Sequence, residues 1–155
     1  MAEIKVGDQI PEFDMPVSGG GTISNADMTG KIWVLYFYPK DDTPGCTKEA
    51  IGFTEELDAF NAAGATVIGV SKDTLAKHEK FISKHDLGIR LAADESDFCE
   101  RIGVWVEKKM YGKTYMGIER VTFLIGADGQ VLEIWRKVKV PGHVDDVLAA
   151  VKAQK

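Results

Sequence analysis

The stretch Ile32-Trp33-Val34-Leu35-Tyr36-Phe37-Tyr38-Pro39-Lys40-Asp41-Asp42-Thr43-Pro44-Gly45-Cys46 decides how this chain is read. The run up to Tyr38 is continuously apolar, aromatic or β-branched, the pattern of a strand covered on both faces. Pro39 has no backbone N–H to extend the ladder and stops it. From Gly45 to about Ala63 the apolar residues Ala50, Phe53, Leu57 and Phe60 recur at three- and four-residue steps, which predicts a helix showing one face to a core. Gly64 closes that helix. Strand, tight loop and helix in this order put Cys46 at the carboxyl edge of a sheet, where α/β folds hold ligands.

Toward the N-terminus, an extended segment holds Phe13 and Met15 and breaks at Ser18-Gly19-Gly20-Gly21. Thr22-Ile23-Ser24 runs back beside it as a hairpin, and Gly30 ends a short turn. Beyond Gly64, Thr66 to Val70 is a second buried strand, and Leu75 to His85 is a helix with Phe81 and Ile82 apolar, ending near Gly88. Ile89 to Ala92 is a weaker strand, and a short helix around Asp97 to Ile102 carries Cys99. Gly103 to Gly117, rich in Lys and Gly, gives no periodicity that assigns it. Glu119 to Ile125 and Val131 to Arg136 read as strands joined at Asp128-Gly129, a hairpin signal. Pro141-Gly142-His143 leads into a last helix with Val144, Val147, Leu148 and Val151 on one face. The order is β-hairpin, β-α-β-α-β-α, then β-β-α: an α/β fold with a mixed sheet, helices on both faces and an N-terminal β-hairpin. With no repeat and no internal linker, residues 1–155 form one domain.

Composition narrows the function classes. At 45% hydrophobic and 28% charged the chain is neither disordered nor collagen-like. A net charge of -5 argues against a nucleic-acid partner, and the short clusters Lys108-Lys109 and Arg136-Lys137 with Lys139 read as solvated surface. The apolar runs are far shorter than the ~20 residues that cross a bilayer, so no membrane partner is expected. Met-Ala-Glu-Ile-Lys lacks the features of a secretory signal, which leaves the cytoplasm as the default compartment. Nor does any apolar stripe suggest a docking surface. His78, His85 and His143 have no metal-ligand spacing with either cysteine, and His78 and His85 read as solvated helix residues. Trp33, Tyr36 and Phe37 read as core, and Trp105 as a neighbour of Cys99.

The chemistry gathers at Cys46. The first turn of a helix has N–H groups without internal partners and a dipole that favours negative charge. Thiolate is the reactive form of cysteine, so placement alone makes Cys46 a candidate nucleophile. Thr43 can offer its hydroxyl to the sulfur, while Pro39 and Pro44 stiffen the loop and remove two backbone donors. Glu49 lies one turn on, along the same side of the helix. A carboxylate there disfavours a thiolate unless a cation answers it, so a nearby arginine is expected.

Pro39-x-x-x-Thr43-x-x-Cys46 resembles the signature of the peroxiredoxins, and Tyr38 to Ala50 is similar to the bacterioferritin comigratory protein, or Q-type, branch. Phe98 to Trp105, Met110 to Ile125 and Gly7-Asp8-x-x-Pro11-x-Phe13 match the same branch, so the likeness covers nearly the whole chain. The resemblance implies a thioredoxin-like fold and a thiol peroxidase with no cofactor and no metal. It implies that Cys46 attacks the peroxide and becomes a sulfenic acid. Thr43 would bond the peroxide, Pro39 shield the thiolate, Arg120 complete the pocket and Glu49 orient the arginine. The substrates would be hydrogen peroxide and organic hydroperoxides. The reductant would be an external thiol such as thioredoxin, glutaredoxin or glutathione, and the protein a monomer or weak homodimer serving antioxidant defence.

One position departs from the pattern. Many members of the branch carry a second, resolving cysteine five residues after the first, where this chain has Ile51. Cys99 is the only other thiol. It resolves Cys46 after local unfolding, leaves that to an external thiol, or is a buried bystander; the one-cysteine route is favoured. A peroxide sensor or redox-switch binding protein using the same cysteine is the alternative function. A disulfide exchanger is disfavoured by the missing Cys-x-x-Cys.

Overall fold

The aromatic run at 32–38 becomes the centre of a five-stranded sheet in the computed structural model, which describes residues 4–154. The elements are β1 (Asp14–Pro16), β2 (Thr22–Ser24), α1 (Asn25–Met28), β3 (Ile32–Phe37), α2 (Pro44–Glu55), α3 (Leu57–Ala62), β4 (Ala65–Ser71) and α4 (Leu75–His85). They continue as β5 (Arg90–Ala93), α5 (Phe98–Arg101), β6 (Trp105–Met110), β7 (Lys113–Ile118), β8 (Val121–Ile125), β9 (Val131–Trp135) and α6 (His143–Lys152). The central sheet runs β5-β4-β3-β8-β9, and β1-β2 and β6-β7 form separate two-stranded ribbons. β3 pairs in parallel with β4 and antiparallel with β8, which makes the sheet mixed as expected.

Alternation along β3 divides the interior in two, since successive side chains leave opposite faces of a strand. Trp33, Leu35 and Phe37 join Phe13, Met15, Phe98 and Cys99 on one face. Val34, Tyr36 and Tyr38 join Cys46, Phe53, Phe81 and Val147 on the other. Trp33, Tyr36 and Phe37 are fully buried, as the sequence indicates. Stacking of Phe53 on Tyr36, with centroids 4.6 Å apart, ties α2 to β3 and so fixes where that helix starts.

The structure corrects several boundaries. The helix expected over Gly45 to Ala63 is two, broken at Glu56. Thr54 just before the break turns its hydroxyl back to the Ala50 carbonyl at 2.8 Å, a bond that bends helices. The turn before β3 contains the short helix α1, capped by Ser24 and Asp27. The unassigned region from Gly103 is the β6-β7 hairpin. Its turn, Tyr111-Gly112, has positive φ at both residues, 52° and 75°, a geometry usually signalled by Asn-Gly. This hairpin also exposes apolar side chains, Tyr111 at 97% with Met110, Tyr115 and Met116, contrary to the expectation of no exposed stripe. The strand expected from Glu119 begins instead at Val121, and Glu119 and Arg120 form the bend between β7 and β8. Among the described residues no helix is long and apolar enough to cross a membrane.

Candidate active site

Pro44 opens α2 at the position where a missing N–H is no loss, which places Cys46 in the first turn. The ladder of the helix begins with the Thr47 N–H donating to the Thr43 carbonyl at 2.8 Å. The N–H groups of Gly45 and Cys46, one step earlier, therefore have no carbonyl within the helix. Cys46 itself is 1% exposed, a free thiol set against the core between β3 and α2.

Arg120 reaches this turn from the bend between β7 and β8. Its Nη2 donates to Cys46 Sγ at 3.4 Å and its Nη1 to Glu49 Oε1 at 2.7 Å, so one planar guanidinium spans both groups. Gly45 makes the approach possible: a Cβ there would stand 3.1 Å from Arg120 Nη2. Burial works against the arginine's charge, but Glu49 and Cys46 together hold its basicity above the ordinary value. The arginine expected beside Glu49 is thus present.

Glu49 is fully buried, and its second oxygen, Oε2, has no hydrogen-bond partner among the described residues. Burial pushes its carboxyl up to about 7, even though Arg120 pulls the other way. The ion pair therefore offsets only part of the desolvation. Above the unfolded value of 4.5 and below about 7 the folded state binds more protons than the unfolded, so stability falls as pH rises through that window. Glu49→Gln removes this titration and leaves an oxygen for Arg120. Urea denaturation should show the wild type losing about 3 kcal/mol relative to Glu49→Gln between pH 4.5 and 8, at about 1.4 kcal/mol per unit. Parallel curves for the two proteins would refute the assignment.

The other expected residues fall into place unevenly. Pro39 lines a groove of about 390 Å³ together with Lys40, Trp105, Lys108, Tyr115 and Ile118. Thr43 caps α2 in extended conformation, yet its hydroxyl donates to the Lys40 carbonyl at 2.9 Å instead of turning to the sulfur. Lys108, read from sequence as solvated surface, is partly buried, and burial followed by Arg120 lowers its basicity. Trp105 packs against the core face that holds Cys99, with the Lys72 ammonium 5.1 Å from its ring centre.

Cys99 lies on the opposite face of the sheet from Cys46. Its N–H is bound to Asp94 at 2.9 Å, and burial, then Asp94, hold its thiol far above the ordinary range. A low-reactivity thiol behind a five-stranded sheet is no neighbour of Cys46.

Two histidines correct the sequence reading. His78 is fully buried rather than solvated, and His85 is partly covered and bonds Asp42 at 2.8 Å. The signal for His78 was its spacing, three residues before Phe81 on the inner face of α4, hidden by Lys77, Glu79 and Lys80 around it.

The AhpC/TSA family model matches residues 6–134. A Coxiella burnetii protein called putative peroxiredoxin bcp is 47% identical over 94% of this chain and 97% of its own length. Peroxiredoxin Bcp of Bacillus subtilis is 46% identical, covering 96% of each chain. Among solved structures, Xanthomonas campestris peroxiredoxin Q superimposes with a TM-score of 0.87 at 45% identity, over 92% of this chain and 90% of that one. A second, of the bacterioferritin comigratory protein of the same organism, addresses its alkyl peroxide reduction activity from trapped intermediate/ligand complexes; its TM-score is 0.86 at 45% identity, over 91% and 90% of the two chains.

Proposed function

Because the chain belongs to the AhpC/TSA family, has the thioredoxin-like fold of the peroxiredoxins and is a thiol peroxidase, we propose that Cys46 is its attacking nucleophile. The observation that carries this reading is the Arg120 fork, held by buried Glu49 and aimed at Cys46 Sγ. The Cys46 thiolate attacks the nearer peroxide oxygen, an S–O bond forms as the O–O bond breaks, and the departing oxygen takes a proton as water or alcohol. Negative charge spreads over both oxygens on the way. Arg120 Nη2 and the first-turn N–H groups are the donors set to receive it. Thr43 contributes by rotating its hydroxyl from Lys40 to the bound peroxide, and Pro39 by screening the sulfur from water.

Hydrogen peroxide and organic hydroperoxides are the substrates of this reading. The groove beside Pro39, with Trp105, Ile118 and Tyr115 in its wall, is wide enough for an organic chain. An external thiol such as thioredoxin, glutaredoxin or glutathione returns the sulfenic acid to thiol in two steps. It first displaces water to form a mixed disulfide, and a second thiol then releases Cys46. The sheet between Cys46 and Cys99 supports this one-cysteine route, since a disulfide needs α-carbons within about 7 Å. The reading is completed by a single domain acting as a monomer or weak homodimer in antioxidant defence, in a cytoplasm where thiols are kept reduced.

Intact mass after one equivalent of peroxide tests the assignment. The wild type and Cys99→Ser should both gain one oxygen with equal initial bursts. A loss of two hydrogens in the wild type would mean an internal disulfide, and loss of the burst in Cys99→Ser would remove Cys46 as sole attacker. Sustained turnover with dithiothreitol separates an enzyme from a sensor, which would oxidise once and stop.

A further inference from the structure

A buried polar network that takes no part in the chemistry above lies behind the loop from Pro39 to Pro44. At its centre is His78, on α4 and with no exposed surface. Its Nδ1 sits 2.6 Å from Asp41 Oδ2 and its Nε2 3.0 Å from the Ala92 carbonyl. Burial keeps the Tyr38 phenol protonated, so its hydroxyl donates to the other oxygen of Asp41, at 2.5 Å. The Asp41 N–H donates to Asp73 Oδ2 at 2.7 Å, and Asp73 is fixed in turn by the Ser71 hydroxyl at 2.8 Å.

The next residue is gripped as well. Asp42 holds a left-handed φ of 61°, uncommon outside glycine, and its carboxylate meets Lys84 at 2.7 Å and His85 at 2.8 Å, both at the far end of α4. Both carboxylates of the loop are therefore tied to α4, a helix that contributes nothing to the peroxide pocket. Arg120, by contrast, arrives from the bend before β8. The distance between sulfur and guanidinium thus depends on separate supports, and on the cysteine side α4 holds the loop while the Phe53–Tyr36 stack holds α2.

Stability does not demand such a network, because buried hydrogen-bonded pairs are often matched or surpassed by apolar side chains of similar volume. What an apolar cluster cannot do is fix the loop in one register through directed bonds. Resting on the reading of Cys46 as the attacking nucleophile, we propose that His78 is a positioning residue for the peroxide-reducing step. Through Asp41 it sets how Cys46 is presented to Arg120. The same grip opposes the reduction step, since Cys46 is 1% exposed and an external thiol reaches its sulfur only when the loop moves outward. Loosening the network then slows oxidation and leaves reduction unchanged or faster, two effects that a loss of stability alone does not produce together.

Stopped-flow kinetics on the full chain separate the two steps. In His78→Asn the second-order rate with hydrogen peroxide should fall about tenfold or more, as expected for displacement of a reacting group. Reduction of the sulfenic form by dithiothreitol should be as fast as in the wild type or faster. Asp41→Asn should behave alike, and the double variant no worse than either single one. Val147→Ala, a cavity made in α6 that removes none of the loop's hydrogen bonds, supplies the control for lost stability. If His78→Asn does not fold, Tyr38→Phe removes one donor to Asp41 and should show the same split at smaller size. Equal falls in both rates, matching Val147→Ala, or an oxidation rate within about twofold of wild type, would overturn the proposal. A wild type that is not oxidised at Cys46 would instead defeat the reading beneath it, so the two failures are distinct.

Discussion

Cys46→Ser should lower peroxide reduction by at least about 10⁴-fold, the scale on which loss of a nucleophile acts, while the protein folds as before. Sulfur and oxygen differ here in the one property that matters. A thiol gives thiolate near neutral pH, whereas a serine hydroxyl does not ionise there and is a poor nucleophile toward a peroxide. The packing change is small, since serine differs from cysteine by one atom at a site that already has Arg120 as a hydrogen-bonding neighbour. Cys99 cannot take over: it faces the other side of the sheet, and burial and Asp94 hold it in the unreactive thiol form. Peroxide consumption assayed with dithiothreitol decides the matter, and more than about 1% residual activity would mean that another group attacks.

The contrast between the two cysteines shows how far sequence reading reaches. Cys46 was legible because local signals agree: a strand stopped by Pro39, a helix opened by Pro44, and a thiol in the first turn. β3 was equally legible from its unbroken apolar run, and α4 spans the Leu75 to His85 read from the sequence. The β6-β7 hairpin was not. Its residues from Val106 to Gly117 carry little burial on either face, so no apolar period marks the strands, and its turn lacks the usual Asn-Gly. The division at Glu56 was hidden because the apolar spacing continues through it. Long-range pairings were the harder class. Glu49 called for an arginine from its own chemistry, but which arginine came only from the family string and then from the fold, 71 positions away. His78 reads as solvated because its partner, Asp41, lies 37 positions off in the loop after β3, and a buried polar residue among lysines looks like a solvated one until that partner is found.

Arg120→Met should lower the second-order rate of peroxide reduction by about 10²- to 10³-fold, the loss found when one donor to a developing negative charge is removed. In the transition state charge moves from sulfur onto the peroxide oxygens, and Nη2, 3.4 Å from Sγ in the resting site, is placed to follow it. Arg120→Lys should recover only part of the loss, because a single ammonium cannot bond Glu49 and the sulfur together as the fork does. Removing the arginine also strands Glu49, fully buried and with one oxygen already unpartnered. Breaking a buried pair in this way costs about 3–5 kcal/mol when the remaining group is charged. The Glu49 carboxyl already sits at about 7 with Arg120 opposing the effect of burial, and without Arg120 it moves higher still. The destabilisation of Arg120→Met should therefore be largest in alkaline solution and shrink as pH falls and Glu49 takes a proton. Urea midpoints across that range read the effect directly. In Arg120→Met/Glu49→Gln the alkaline loss of stability should largely vanish while the loss of activity remains, because the glutamine removes the stranded charge and does nothing for the peroxide. Recovery of activity in the double variant would mean that Arg120 serves to neutralise Glu49 and not to stabilise the reacting oxygens.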